Sequence, residues 1–154
     1  MKTLFLYLLL AFISCKTNNC ELPQIVNKII SSQKGFEKGK AVRVEQISSL
    51  WKNSGGTEKV VCPNQVIGDF TEDGKKDIIS MYFDNTNTPN LVAVINFETK
   101  NPKFQNIVGV NWDGIYMIDA LYIDKANVYA IKLESSLSKI TWKRNKFTIE
   151  LIGD

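Results

Sequence analysis

From Leu22 to Ser32 the apolar residues Leu22, Ile25, Val26, Ile29 and Ile30 recur at helical spacing, and Pro23 sits where a first-turn proline is tolerated. The spacing predicts one amphipathic helix there. Gly35 and Gly39 break it among lysines, and Lys40 to Trp51 is ambiguous, with Val42 and Val44 alternating like a strand while Ile47, Leu50 and Trp51 could share a helix face. Beyond the loop Asn53-Ser54-Gly55-Gly56 the period turns to two. Short β-branched or aromatic runs over Val60 to Ile67, Ile78 to Phe83 and Leu91 to Phe97 predict strands, with Asn85 to Asn90 as a hairpin loop. Further strands are expected near Phe104 to Val110, Ile115 to Leu121, Val128 to Leu133, Ile140 to Trp142 and Phe147 to Ile152. In the last, Phe147, Ile149 and Leu151 alternate with Lys146, Thr148 and Glu150, as in an antiparallel strand with one solvated face. The expected fold class is therefore α+β: an N-terminal helix or helices packed on a mostly antiparallel, β-rich sheet of about six to eight strands.

The N-terminus follows a different rule. Met1-Lys2 precedes an uncharged block from Leu4 to Ile13, which ends in Ser14-Cys15 and the polar Lys16-Thr17-Asn18-Asn19. That order is a secretory signal, and the block is shorter than the roughly 20 apolar residues a bilayer-spanning helix needs. Phe12-Ile13-Ser14-Cys15 resembles a lipobox, the bacterial lipoprotein signal, and the resemblance implies that Cys15 is lipidated and becomes the mature N-terminus. A plain cleaved signal is the alternative. The expectation is a leader over residues 1–14 and one exported domain over 15–154, anchored by lipid to a membrane of the bacterial cell envelope.

Removing 14 of 154 residues leaves enough chain for a single domain with a real core. Loss of Lys2 lowers the net charge from +3 to +2, and acids and bases are interspersed, so a nucleic-acid face is not expected. With Cys15 assigned to lipid, Cys20 and Cys62 remain as an even pair available for one disulfide, or as two free thiols.

One stretch could carry metal chemistry. Gly68-Asp69-Phe70-Thr71-Glu72-Asp73-Gly74-Lys75-Lys76-Asp77-Ile78 places carboxylates at loop positions 1, 5 and 9, a hydroxyl at 3 and glycine at 6. Calcium takes six to eight hard oxygens, and Asp69, Thr71, Asp73, the Lys75 carbonyl and Asp77 could supply most of them. Ser80 stands where an EF-hand needs its twelfth-position glutamate. The stretch resembles instead the calcium-binding hairpin of FG-GAP/VCBS repeats, departing from that pattern at Thr71 and Glu72. The resemblance implies a structural calcium ion between two strands, and the single copy cannot build a propeller. The tail from Glu134 to Phe147 is similar to the terminal hairpin of small exported bacterial proteins of unknown function that carry one such loop. Without the metal, the stretch reads as a polar hairpin turn, since Asp-Gly is a turn signal by itself.

The absence of histidine excludes Ser-His-Asp and Cys-His catalysis. Asp113, Asp119, Asp124 and Glu134 could serve a carboxylate-dependent hydrolase, yet each falls near a turn or strand end, where solvated acids are ordinary. The aromatics read mainly as core; Trp112, within Asn111-Trp112-Asp113-Gly114, is the candidate contact residue. The residues favour a binding or interaction module whose partner is an envelope protein or glycan. A small exported hydrolase, or an inhibitor or immunity-type protein, is the alternative.

Overall fold

A computed structural model describes residues 20–47, 60–107, 120–124, 127–132 and 136–153. Among these, the single α-helix, α1, runs Gln24–Ser31. The described residues also hold nine strands, in the order β1 (Lys40–Ala41), β2 (Gln65–Gly68), β3 (Asp77–Phe83), β4 (Pro89–Ile95), β5 (Lys103–Ile107), β6 (Ala120–Asp124), β7 (Asn127–Lys132), β8 (Ser136–Lys143) and β9 (Lys146–Gly153). They form two antiparallel sheets. In the first the order is β1-β3-β4-β5, with β2 also paired to β3; in the second it is β6-β7-β8-β9. β1 and β2 lie end to end along the same edge of β3, since Gln65 faces Ser80 and Ala41 faces Tyr82.

The α+β expectation is thereby corrected. The chain is mostly β, and its main core lies between two sheets rather than beneath helices on one. Val66, Ile79, Met81, Leu91, Ala93, Ile95 and Ile107 of the first sheet meet Leu121, Val128, Ala130, Ile140 and Phe147 of the second. Of the ambiguous stretch after Gly39, residues 40–47 are described and form β1 and a 3₁₀ turn over Val44–Gln46; Leu50 and Trp51 lie outside the described residues. Burying apolar area at about 25 cal/mol per Å² favours any arrangement that covers both faces of β3 and β4, whose sequences are nearly continuous apolar runs. Alternation divides those runs. Ile79 and Met81 point into the main core, while Ile78 and Tyr82, with Val92 and Val94 of β4, form a second cluster covered by Val26 and Ile30 of α1 and by Phe36. The Tyr82 hydroxyl, at the rim of that cluster, donates to Asn27 Oδ1 at 2.8 Å.

The two sheets touch at both margins. Next to β2, the Leu121 N–H donates to the Pro63 carbonyl at 2.9 Å. At the other margin, the Gln105 side-chain amide behaves like a residue of a neighbouring strand: its Nε2 donates to the Phe147 carbonyl and its Oε1 accepts the Phe147 N–H, both at 2.8 Å. Among the described residues no helix is long and apolar enough to cross a membrane.

Candidate functional site

The acidic stretch forms the connection between β2 and β3, whose ends pair at Gly68 and Asp77. Phe70 folds back over Gly68, where any Cβ would fall 2.6 Å from its ring, and so packs against the main core. Gly74 has φ +80°, the left-handed region that favours glycine. Asp69 nucleates the turn: its Oδ1 accepts the Asp73 N–H at 3.1 Å and its Oδ2 the Gly74 N–H at 2.8 Å. Asp73 repeats the motif by accepting the Lys75 N–H at 3.1 Å.

Asp77 is wholly buried at the start of β3 and holds the loop from beneath. Its Oδ2 accepts the N–H groups of Phe70 at 2.9 Å and Thr71 at 3.0 Å, and its Oδ1 accepts that of Asn96 at 2.9 Å. Asn96 comes from the turn between β4 and β5, and its Nδ2 also donates to Asp73 Oδ2 at 2.8 Å. That amide is the leading cause holding the Asp73 carboxyl below its ordinary range. The Lys76–Glu98 ion pair at 2.9 Å and the Phe97 N–H on the Lys76 carbonyl join the same two turns. Asn96 is the residue that sequence reasoning missed. No local pattern marks it, because only the β3–β4–β5 meander brings it beside a loop some 20 residues earlier.

The fit to calcium is partial. A carboxylate offers about four lone-pair positions, and three of those on Asp77 are already taken by backbone N–H groups. Asp69 and Asp73 are exposed and retain acceptor capacity, while the buried Thr71 Oγ1 and Asn96 Oδ1 have no hydrogen-bond partner. Against that, no three acidic or cysteine side chains among the described residues come together as a metal-holding group. Asp69, Thr71, Asp73 and Lys75 thus share one loop above Asp77, and that loop closes through its own hydrogen bonds.

The other expected pairing is formed. Cys20 and Cys62 make a disulfide with Cα atoms 5.3 Å apart. Two buried amides reinforce it: Asn64 Nδ2 donates to the carbonyls of Cys20 and Val42, each at 3.0 Å, and Gln65 Nε2 to that of Glu21 at 3.2 Å. Between this segment and residues 41–45 lies a groove of about 770 Å³. Cys15, Trp112, Asp113, Asp119 and Glu134 lie outside the described residues. No known protein family matches the chain, and neither the curated proteins nor the solved structures contain one similar to it.

Proposed function

We propose that the chain is a lipid-tethered, non-catalytic binding domain of a bacterial cell envelope, with an envelope protein or glycan as partner. The observation that carries this reading is the Cys20–Cys62 disulfide, which suits an oxidising compartment and agrees with the leader-like N-terminus. The disulfide and the Asn64 and Gln65 amides pin Cys20 and Glu21 to the first sheet. A lipid on Cys15 would then hold the domain on a tether of five residues, at most about 17 Å. Acyl chains supply about 0.8 kcal/mol per buried CH₂, enough together to keep a soluble domain at a membrane.

A binding role is favoured over a hydrolase because Asp77, the one fully buried carboxylate among the described residues, is committed to three backbone N–H groups. Calcium enters the reading as a structural ion on the outer part of the loop. Asp69, Thr71, Asp73 and the Lys75 carbonyl would hold it, and Asp77 would contribute at most one oxygen lone pair.

Intact-mass analysis of the chain from a bacterial membrane fraction tests the address. The expected result is a protein beginning at Cys15 and carrying a diacylglyceryl mass, absent from Cys15→Ser. An unmodified Cys15 in a membrane-bound chain overturns the lipoprotein reading.

A further inference from the structure

Among the described residues five large apolar side chains are exposed: Ile25, Val61, Ile67, and Leu151 and Ile152 of β9. Two of the five stand beside Cys20. Ile25 lies in the first turn of α1 and is 50 % exposed, although its neighbours Val26, Ile29 and Ile30 pack toward the first sheet. Val61 is 64 % exposed and precedes Cys62, whose disulfide brings it to the head of α1; its carbonyl is 3.6 Å from Cys20 Sγ. The others are elsewhere. Ile67 runs into the acidic loop of Asp69, Glu72 and Asp73, and β9 lies three strands beyond β6, about 14 Å across the second sheet from the margin at Pro63.

Positive charge is concentrated toward the same end of the chain. Residues 15–47 carry six bases against three acids, a net of +3, while the remaining 12 bases and 13 acids leave residues 48–154 at −1. Lys28 follows Ile25 at i+3 on the exposed side of α1, away from buried Val26 and Ile30. Lys34 and Lys38 are exposed on either side of Phe36, which packs into the cluster that α1 covers. The acids oppose them weakly. Glu37 folds back onto the Gly35 N–H and the Asn85 side-chain amide, at 2.9 and 2.6 Å. Glu21 stays exposed beside Cys20 and subtracts from the attraction without cancelling three lysines.

A lipid on Cys15 sets the bilayer at most about 17 Å of chain from Cys20. Docking against that bilayer is then intramolecular, so even a weak surface is occupied. Exposed aliphatic side chains flanked by lysines suit the headgroup boundary, where the first enter and the second meet anionic lipids. We infer that the α1 side of the domain, through Ile25 and Val61 with Lys28, Lys34 and Lys38, docks on the anionic bilayer that holds the Cys15 lipid. The helix lies along the surface, and the second sheet, on the opposite face of the first, is turned away from it. The inference rests on the lipoprotein reading and adds the lipid surface as a second partner.

The test places one environment-sensitive fluorophore on the lipidated full chain in phosphatidylcholine vesicles, with and without phosphatidylglycerol. Cys20 and Cys62 are bonded and Cys15 carries lipid, so Ile25→Cys or Leu151→Cys offers a single thiol to label. With phosphatidylglycerol the label at 25 should shift to the blue and be quenched by a lipid-borne nitroxide, while the label at 151 does neither. Each lysine near an anionic surface contributes about fivefold, so Lys28→Gln, Lys34→Gln and Lys38→Gln together should lower the docking equilibrium about a hundredfold. Val61→Asp should also return the label at 25 to water. All four positions are exposed, so the melting temperature should not move. A label at 25 as solvated as that at 151, or a shift unchanged by the triple variant, would overturn the inference. So would a blue shift without lipid quenching, which marks a second copy on this face. Intact mass separates the two failures: an unmodified Cys15 sinks the lipoprotein address, and the same labels, placed in Cys15→Ser, then still decide the docking face.

Discussion

Replacing Asp77 with Asn tests whether this residue is chiefly a backbone clamp or chiefly a metal ligand. The substitution keeps shape and volume but turns one acceptor oxygen into an NH₂ donor. In the better orientation the amide oxygen stays on the Phe70 and Thr71 N–H groups, and the NH₂ opposes the Asn96 N–H. Two bonds then lose the strength that a charged acceptor confers, and one buried N–H is left unpaired. Hydrogen bonds to charged groups contribute about 1.5–3 kcal/mol and an unsatisfied buried donor costs about 1–3, so the total is about 3 kcal/mol. For a domain of this size, at about 2.1 cal/mol/K per residue, that lowers the melting temperature by about 10 °C. The assay is scanning calorimetry in EDTA and again with excess calcium. A clamp shows the full loss in EDTA. A metal ligand shows no loss there and loses only the calcium-dependent increment. An Asp77→Asn melt in EDTA within about 2 °C of the parent, less than 1 kcal/mol by the same conversion, would refute the clamp.

The other predictions concern the seams, the disulfide, the ion and acid. Gln105→Ala should lower stability by about 2 kcal/mol, because it strips both partners from the Phe147 backbone; an unchanged denaturation midpoint would mean the two sheets hold at that margin without it. The double Cys20→Ser, Cys62→Ser variant opens a loop with a sequence separation of 42. Chain entropy assigns that crosslink about 4 kcal/mol, so its thermal melt should fall by more than 10 °C, and a smaller shift would place the stabilisation in the Asn64 and Gln65 amides. Asp69→Ala should abolish any rise in melting temperature on adding calcium to the parent chain, and a parent melt identical in calcium and EDTA would dismiss the ion. Acid sensitivity follows from Asp84. Burial, the largest influence, pushes its pKa up, but hydrogen bonds from Thr86, Thr88 and Asn90 outweigh it and hold the carboxyl below its usual range. A depressed folded pKa contributes stability that is present above the unfolded value, about 4, and is lost as pH falls through the folded one. Asp84→Asn should therefore flatten the fall in melting temperature below about pH 4, and parallel slopes would contradict it.

The elements with regular local patterns were legible in the chain itself. Alternation at Phe147, Ile149 and Leu151 and helical spacing from Leu22 to Ile30 correspond to β9 and α1. Asp-Gly chemistry marked the β2–β3 turn, and setting Cys15 aside as the expected lipid site left Cys20 and Cys62 as the candidate pair. Strand limits were less legible where sheet contacts decide them. Val60 to Asn64 read as strand, yet the ladder begins at Gln65, because Cys62 is tied to Cys20 and Pro63 has no N–H to offer.

Layering was hidden because β3 and β4 are apolar on both faces. Such runs do not say whether a helix or a second sheet covers each side, and here the answer is one of each. The site divides in the same way. The sequence by itself determined most of the elements and the turn chemistry and offered Cys20 and Cys62 as a candidate pair, since periodicity and turn propensity act over a few residues and assigning Cys15 to lipid leaves two of three cysteines. Only the tertiary structure decided that Asp77 is spent on backbone N–H groups, that Asn96 joins it from a later turn, and that the Asn64 amide bridges the Cys20 and Val42 carbonyls. Those outcomes depend on which distant strands become neighbours, and that is settled by burying both faces of the first sheet at once.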